Sequence, residues 1–286
     1  IYAKQFGSIT GDINISGIKI EENDFVITGA LSNTMDFDPS TNDYLVSATG
    51  NYEGFFAKYS LNCDLIFVKH FTCKPNYYTH PYEALTDDLK NIYLYGVYRD
   101  STDFDPSVDT FYLPNCINGD DLFFAKYDSL GNFIFAKGIS SEYGYFSAMQ
   151  LDSSGNIYLA GQFIGSSPID FDPSIDTHWG SPANSELNFL AKYSTEGDFV
   201  FVNVYEANSY IGINDIFIDS TNTIFLTGSY YGASDFDCSS SVHNITASPL
   251  NLSAYIASYS ETGDFLFAEP IISTNETRGR QVFSDN

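Results

Sequence analysis

The sequence has few basic residues and no long apolar run, and both shortages limit what it can bind. Lys and Arg number 12 against 37 Asp and Glu, so the formal net charge is −25. Nucleic acid needs clustered Lys and Arg to neutralise its phosphates, and anionic lipid attracts the same residues. No apolar run approaches the ~20 residues of a membrane-spanning helix. We therefore expect an acidic protein with no nucleic-acid partner and no direct membrane insertion.

Cysteine is also scarce, and its spacing does not indicate a zinc site. The four cysteines, Cys63, Cys73, Cys116 and Cys238, form no C-x-x-C pair. Cys63 and Cys73 flank one predicted strand, which would hold their Cα atoms too far apart for a disulfide. We expect mostly free thiols.

Motifs of catalysis are missing as well. The sequence has no G-x-S-x-G elbow, no P-loop and no G-x-G-x-x-G. Its four histidines form no metal-binding pattern and occupy non-equivalent positions in the repeat described below, which indicates surface residues. A repeated carboxylate is typical of a scaffold, whereas catalysis needs one asymmetric site. The sequence therefore favours a protein that is not an enzyme.

What the sequence has in abundance is aromatic residues. Tyr (22) and Phe (25) dominate, and hydrophobic residues make up 43% of the chain. Aromatic and β-branched residues suit pleated, half-buried surfaces, whereas stretches rich in Ala, Leu, Glu and Lys are lacking. The composition predicts an all-β protein.

An internal repeat of about 67 residues organises the chain. The motif Asp-Phe-Asp-Pro-Ser begins at Asp36, Asp103 and Asp170, and a degenerate copy, Asp-Phe-Asp-Cys-Ser, begins at Asp235. The steps between copies are 67, 67 and 65 residues. Such a period is typical of tandem-repeat architectures.

Each repeat contains four predicted strands, which we label A to D. In the third copy, A is residues 148–152, B begins at Ile157, C is Leu190-Ala191-Lys192-Tyr193 and D begins at Phe199. Short turns with glycine join A to B and C to D, which is a hairpin signal. A long B–C connection holds the Asp-Phe-Asp-Pro-Ser motif. Four antiparallel strands repeated in tandem predict β-propeller blades, with a linear β array as the alternative.

The third copy also resembles a known repeat. Residues 152–161 (DSSGNIYLAG), 170–174 (DFDPS) and 189–193 (FLAKY) are similar to the SBBP-type β-propeller repeat. The resemblance covers essentially the whole chain and implies a secreted or cell-surface protein of Bacteroidota. The fourth copy departs from the pattern, because Cys238 replaces the proline and Ser258 replaces the lysine.

The repeats predict a single propeller region over residues 1–286. Its repeats cover about 11–72, 73–140, 141–206 and 207–270, with partial strands in 1–10 and 271–286. Ile1-Tyr2-Ala3-Lys4 matches a D strand, and residues 280–286 resemble an A strand with its turn. Four complete blades with one orphan strand at each end predict an arc of a larger propeller.

The aspartates of the B–C connection are the candidate metal ligands. The first two share one face of an extended chain, and a third acid follows in the first three copies. Clustered carboxylates suit Ca²⁺, which takes six to eight oxygen ligands. The candidate Ca²⁺ ligands are Asp36, Asp38, Asp43, Asp103, Asp105, Asp109, Asp170, Asp172 and Asp176.

A structural turn explains the same motif without metal. Phe would pack in the core, Asp side chains would accept backbone N–H groups and Pro would restrict φ. Both interpretations stay open at this point. No other cofactor is indicated.

The B–C connections differ most between copies, and loops on a fixed scaffold are where binding specificity lies. Trp179, in the third connection, is a candidate ligand-binding residue because exposed aromatics stack on sugars. We expect a non-enzymatic extracellular structural or binding module, acting in adhesion and binding protein or glycan at the cell surface. The alternatives are a polysaccharide-active enzyme and an accessory subunit of a secretion or gliding-motility apparatus.

Overall fold

The computed structural model describes residues 5, 7–8, 11–113, 119–140, 143–182, 186–205, 210–247, 251–271 and 275–283. Within these ranges the regular elements are all β-strands, which confirms the predicted all-β class. No described segment forms a helix of the length and apolar character needed to cross a membrane. The chain divides into two compact units, residues 1–140 and 141–286, at the predicted boundary between the second and third repeats.

Unit 1 contains thirteen of the described strands. They are β1 (Gly7–Ser8), β2 (Ile13–Ile20), β3 (Asp24–Leu31), β4 (Thr34–Asp36), β5 (Leu45–Ser47), β6 (Glu53–Ser60), β7 (Leu65–His70), β8 (Thr72–Cys73), β9 (Thr79–Thr86), β10 (Ile92–Tyr98), β11 (Thr102–Asp103), β12 (Asp121–Tyr127) and β13 (Phe133–Ile139). The first sheet has the order β2-β3-β6-β7, and the second has the order β9-β10-β12-β13.

Unit 2 contains the other twelve. They are β14 (Tyr143–Leu151), β15 (Ile157–Ile164), β16 (Ile169–Asp170), β17 (Trp179–Gly180), β18 (Glu186–Tyr193), β19 (Phe199–Tyr205), β20 (Tyr210–Ile218), β21 (Ile224–Tyr231), β22 (Ala233–Asp235), β23 (Asn244–Thr246), β24 (Ser253–Tyr259) and β25 (Phe265–Ile271). The third sheet has the order β14-β15-β18-β19, and the fourth has the order β20-β21-β24-β25.

Every sheet is an antiparallel meander whose strand order is the chain order. The four sheets correspond to the predicted blades, with strands A to D in sequence, and the protein has a propeller-type fold. The B–C connections contain short strands that the sequence did not predict. Within their connections β4 pairs with β5, β16 with β17 and β22 with β23, whereas β4 also pairs with β1 and β11 pairs with β8, both outside the connections.

The two central strands of each sheet are buried almost completely, whereas the fourth strand is not. All seven residues of β10 are buried, but β13 alternates between half-buried and exposed residues along its first part. A central strand has neighbours on both edges and is covered on both faces. This explains why the B and C segments read as continuous apolar runs rather than as alternating ones.

The A–B and C–D turns are held by an Asp or Ser side chain that accepts amides of the turn. Asp152 Oδ1 accepts the N–H groups of Ser154 and Asn156, both at 2.9 Å. Burial raises the pKa of Asp152, but its hydrogen bonds from Asn156 and Ser154 and the nearby Lys192 outweigh this effect and hold the pKa below its usual value. The same bonds recur at Asp128 and Asp219, so the turns rest on local chemistry.

Within each unit, the A strand of the later sheet packs on the face of the earlier one. In unit 1, β9 contacts β2 and β3, and Ala84 shares a buried cluster with Val26 and Phe56. In unit 2, β20 contacts β14 and β15, and Ile216 shares a cluster with Tyr158 and Leu190. Face-to-face stacking of successive sheets is how repeat proteins build a continuous core.

The C-terminal segment, residues 275–283, forms no strand, unlike the A strand predicted for residues 280–286. Its backbone still bonds to the fourth sheet, because Gly279 N–H donates to Gly228 O at 3.0 Å and Val282 N–H donates to Asp215 at 2.9 Å. These isolated bonds do not form a ladder, and residues 275–283 stay irregular. Residues 284–286, and the orphan D strand predicted for residues 1–4, lie outside the described residues.

The glycine within each B strand is required by the close approach of strand A. A side-chain carbon at Gly29 would overlap the carbonyl oxygen of Asn14 on β2, whereas one at Gly7 would meet nothing within 4 Å. We expect Gly29→Ala to lower the free energy of unfolding by about 1–3 kcal/mol, the range for overpacking. Urea denaturation measures this, with Gly7→Ala as the control at within about 0.5 kcal/mol of the parent. Equal stability of the two variants would contradict it.

Candidate functional site

The candidate site is the set of four B–C connections, which we call arms. They span residues 32–52, 99–120, 165–185 and 232–252, between the second and third strands of each sheet. Each contains one copy of the Asp-Phe-Asp motif. Their described parts share one geometry despite different sequences.

The first aspartate of the motif closes each arm by accepting two backbone amides. Asp170 Oδ1 accepts the N–H of Asp172 at 3.1 Å and the N–H of His178 at 2.7 Å. Amides two and eight residues further along also bind Asp36, Asp103 and Asp235. A residue eight positions away cannot be held by a simple β-turn, so this carboxylate sets the length of the loop.

The second aspartate and the serine continue the chain of bonds. Asp172 Oδ1 accepts the N–H of Ser174 at 2.9 Å, and Ser174 Oγ accepts the N–H of Asp176 at 3.1 Å. The fourth arm makes the same two bonds, through Asp237 and Ser239. Replacement of the proline by Cys238 therefore leaves the hydrogen-bond pattern of the motif intact, although the sequence suggested a degraded copy.

The phenylalanine of the motif joins each arm to the core of its sheet. Phe171 is fully buried, and its carbonyl oxygen accepts a hydrogen bond from the Tyr193 hydroxyl at 2.9 Å. The tyrosine of strand C and the phenylalanine are 22 or 23 residues apart in every copy, and all four pairs make this bond. Burial, with the nearby Asp172 and Asp170, raises the pKa of Tyr193 well above its usual value, so the hydroxyl stays a donor. Sequence reasoning missed this link, although the constant spacing was a signal for it.

Six of the nine predicted calcium ligands, the first and second aspartates of the first three arms, use one carboxylate oxygen within their arm. In each of the first three arms, one oxygen of the first aspartate and one of the second accept backbone amides, as described above. The described residues contain no group of three or more His, Cys, Asp or Glu side chains arranged to hold a metal ion. The arrangement fits the structural-turn interpretation, and calcium binding stays a prediction.

The third acid of the motif is not equivalent in the first three arms. Asp109 and Asp176 donate their N–H to the motif serine, but in the first arm this donor is Asn42, one residue before Asp43. The first arm is therefore no longer than the others, contrary to the spacing of its acids. The backbone contacts agree with the count from the first aspartate, since Asn42, Asp109 and Asp176 each lie six residues after it.

The aromatic residue eight positions after the first aspartate packs on the start of strand D. The ring of Phe111 lies 4.9 Å from Phe133, and that of His178 lies 4.6 Å from Phe199. His243 occupies the same place on Phe265, at 4.8 Å. His178 and His243 are thus equivalent residues with a packing role, which corrects the prediction that no histidines recur.

The second and third arms present apolar side chains at their tips. Val108 is 100% exposed and Ile175 is 98% exposed, and both lie five residues after the first aspartate. Tyr112 and Trp179, four residues later, are also exposed. A backbone held by its own hydrogen bonds therefore displays apolar groups that do not contribute to the core, and such groups commonly mark interaction sites.

The lysines of strand C lie inside the sheets rather than on a binding surface. Lys58 is buried and pairs with Asp24 at 3.0 Å. Lys192 is buried too, 3.6 Å from Asp152, and lies over the Tyr158 ring at 4.8 Å. In the fourth sheet Ser258 replaces the lysine and Phe225 replaces the tyrosine, whereas the aspartate is kept as Asp219.

Three of the cysteines lie in described residues, and none of the three forms a disulfide. They are Cys63, Cys73 and Cys238. Burial, with Glu53 nearby, raises the pKa of Cys73 to about 12, so this thiol is a poor nucleophile. Cys116 lies outside the described residues.

Comparison with known proteins gives one distant relative. No model of a known protein family matches the chain. The chain is 24% identical over 230 residues to a protein of Acanthamoeba polyphaga mimivirus described as an uncharacterized WD repeat-containing protein. This match covers 71% of the chain and 16% of the relative. The similarity agrees with a repeat protein of the propeller type, and the SBBP resemblance stays a prediction.

The motif aspartate should stabilise the third and fourth arms equally. Asp170→Ala and Asp235→Ala each remove an acceptor of two amides, so we expect each to lower the free energy of unfolding by about 1–3 kcal/mol. Urea denaturation of both variants measures this. The control is Asp176→Ala, because Asp176 makes its hydrogen bond within the arm through its backbone N–H. A loss in the third arm alone would contradict a shared structural role.

The same bonds predict that the arms fold without metal. We expect the melting temperature to be the same in EDTA and in millimolar Ca²⁺, because one oxygen of each of the first two motif aspartates already accepts backbone amides. A ligand that binds only the native state must stabilise it. A fall in melting temperature with EDTA that Ca²⁺ reverses and Mg²⁺ does not would instead support the calcium prediction.

Proposed function

We propose that this chain is a non-enzymatic binding module that holds a protein partner on the tips of its arms. The observation that supports this most directly is the exposure of Val108 and Ile175 on loops whose backbone is fixed by internal hydrogen bonds. A preorganised loop loses little conformational entropy on binding, so its apolar tip can contribute affinity.

The arms differ in the side chains they display but not in how they are held. Tyr112 in the second arm corresponds to Trp179 in the third and Asn244 in the fourth. Aromatic residues are enriched at the centres of protein interfaces. A constant frame with variable tips is the arrangement expected of a recognition surface.

The charge of the chain restricts the partner. A net charge of −25 repels other acidic proteins at long range and accelerates encounter with basic ones. We therefore propose a partner with a basic rim around an apolar contact. A secreted or cell-surface location is part of the proposal, and its support is the resemblance of the repeat to SBBP-type repeats.

Glycan binding is the second candidate, and one residue favours it. The Trp179 side chain is exposed beside the motif of the third arm, as an aromatic platform for a sugar would be. An isolated exposed tryptophan serves protein contacts equally well, so the choice depends on experiment.

Substitution at the tips distinguishes these possibilities. We expect Ile175→Asp to weaken protein binding by at least roughly tenfold, the loss typical of a central contact, with the fold unchanged. Partners are identified by cross-linking the purified chain in extracts of its own source, and affinity is then measured with the purified partner.

The matched control is Val200→Asp, which places the same charge at an exposed position of β19 in the same unit. Equal binding by the two variants would overturn the proposal for the arms. Binding to a glycan array that is lost in Trp179→Ala, without any protein partner, would favour the glycan function.

A further inference from the structure

A cavity of about 340 Å³ opens in unit 2, between strand D of the third sheet, the fourth arm and the C–D turn of the fourth sheet. Sites for small ligands have volumes of about 300–1,000 Å³, so the cavity is large enough to hold one. We call it the arm cavity. Its lining includes Asn203, Asp237, Cys238, Gly263, Asp264 and Phe265. Cys238 is exposed, so the cavity is open to solvent.

The polar side chains of the lining offer acceptors rather than donors. The Asn203 amide already donates to the Gly263 carbonyl oxygen at 2.8 Å, and the Thr262 hydroxyl donates to Asp264 at 2.6 Å. Hydrogen bonds from the motif serine hold the pKa of Asp237 below its usual value, so this carboxylate is ionised at neutral pH. A ligand that fits two carboxylates and an amide oxygen supplies N–H donors and positive charge.

Unit 1 has the same junction between two sheets, with a lysine at the position of Asn203. Register equates Asn203 with Lys69, because they pair with Leu190 and Phe56, which both precede the alanine of strand C. The stem of Lys69 lies along the C–D turn of the second sheet. Its Cγ and Cε atoms are both 3.1 Å from the place that a side-chain carbon on Gly131 would take. A lysine side chain therefore covers this turn in unit 1.

The lysine of unit 1 also interacts with a carboxylate of that turn. Burial raises the pKa of Asp128, but its hydrogen bonds from Asn132 and Leu130 and the charge of Lys69 outweigh this effect and lower it. In the fourth sheet, Asp264 stands at the position of Asn132. The turn thus keeps a carboxylate, whereas the lysine that lies over it in unit 1 is replaced by asparagine.

Two other basic residues lie near this turn, but neither belongs to the lining of the cavity. Lys192 is buried, donates to the Glu261 carbonyl oxygen at 3.2 Å and lies 3.6 Å from the carboxylates of Asp152 and Glu261. His243 contributes to the lowered pKa of Asp237, but its ring packs on the start of strand D. The carboxylates of the cavity therefore have room for a cation from outside the chain.

We propose that the arm cavity binds a primary ammonium group on an alkyl stem, in the place that Lys69 fills in unit 1. An ammonium has three donors and no acceptor, which matches the oxygens of Asp237, Asp264 and Asn203. Its source is a lysine side chain of the protein partner, and this assignment rests on the proposed function. The cavity itself is tested without that partner.

An NMR titration of the ¹⁵N-labelled chain with Nα-acetyl-L-lysine methylamide tests the cavity. We expect shifts of the Gly263 amide and the Asn203 side-chain amide, with a Kd of about 1 mM for a ligand of this size. Nα-acetyl-L-norleucine methylamide has the stem without the ammonium and should cause no shift. Unchanged signals with the lysine derivative up to about 10 mM, or equal shifts with both compounds, would overturn the proposal.

Two substitutions test the residues that are inferred to hold the ammonium. Asp264→Asn should raise the Kd by at least roughly tenfold, because it removes a charged acceptor. Asn203→Lys should abolish binding, because the introduced side chain fills the cavity as Lys69 covers the turn in unit 1. Both variants carry the residue that the second repeat has at the same position, so we expect both to fold, which circular dichroism and the melting temperature verify.

The matched control is Asp198→Asn, at the same position of the C–D turn in the third sheet and outside the lining of the cavity. It removes the same charge as Asp264→Asn and should bind like the parent chain. Equal weakening by these two variants would mean that the net charge of the chain, rather than the cavity, attracts the ligand. That result, or parent-like binding by Asn203→Lys, would overturn the proposal.

A second ligand distinguishes a free amine from a lysine side chain. n-Butylamine has the stem and ammonium of lysine without the flanking peptide groups. We expect it to bind no more tightly than the lysine derivative, since the open mouth of the cavity admits the backbone of a partner. Tighter binding of n-butylamine would overturn the assignment to lysine.

The tips of the arms provide a separate control. Ile175→Asp should bind the lysine derivative like the parent chain, because the tip of the third arm is not part of the cavity. Failure of ammonium binding therefore leaves the proposed function of the tips untouched. A partner whose binding is lost in Ile175→Asp but unchanged in Asp264→Asn would overturn the assignment to a lysine of that partner.

Discussion

Each sheet of this protein has two apolar faces, and four strands alone cannot bury either of them. Burial depends on the next sheet, and the A strand makes the contact, as Ala84 does on Val26 and Phe56. This requirement explains the continuous apolar B and C strands, the small residues at close approaches and the constant strand order.

The arms are long loops outside the core, and their own hydrogen bonds hold the backbone in one conformation. A loop of this length has many backbone amides that need acceptors, and the aspartates and serine of the motif provide them in series. The buried phenylalanine and its bond to Tyr193 then fix the loop to the sheet. With these needs met internally, the residues at the tip are free to vary.

The fourth repeat shows which features of the repeat change together and which change independently. It keeps every hydrogen bond of the arm although Cys238 replaces the proline. It loses Lys192 and Tyr158 as a pair, with Ser258 and Phe225 in their places. Lys58 of the first sheet pairs with Asp24 and has Val26 at the tyrosine position, so a buried lysine needs a nearby carboxylate but not the tyrosine. The fourth arm keeps its bonds although the fourth sheet lacks the lysine and the tyrosine, so the two features change independently.

The sequence by itself determined the class, the number of sheets and the order of strands. These depend on local patterns, such as apolar runs, glycine turns and a constant step, which a single chain displays directly. Only the tertiary structure decided what the acids of the motif face, because Asp36 and Asp38 could as well have converged on an ion as on amides. It also decided that His178 and His243 pack on rings at the start of strand D. The burial of Ala84 and the exposure of Ile18 on β2 likewise depend on what packs on each sheet. Such packing joins residues that are far apart in the chain.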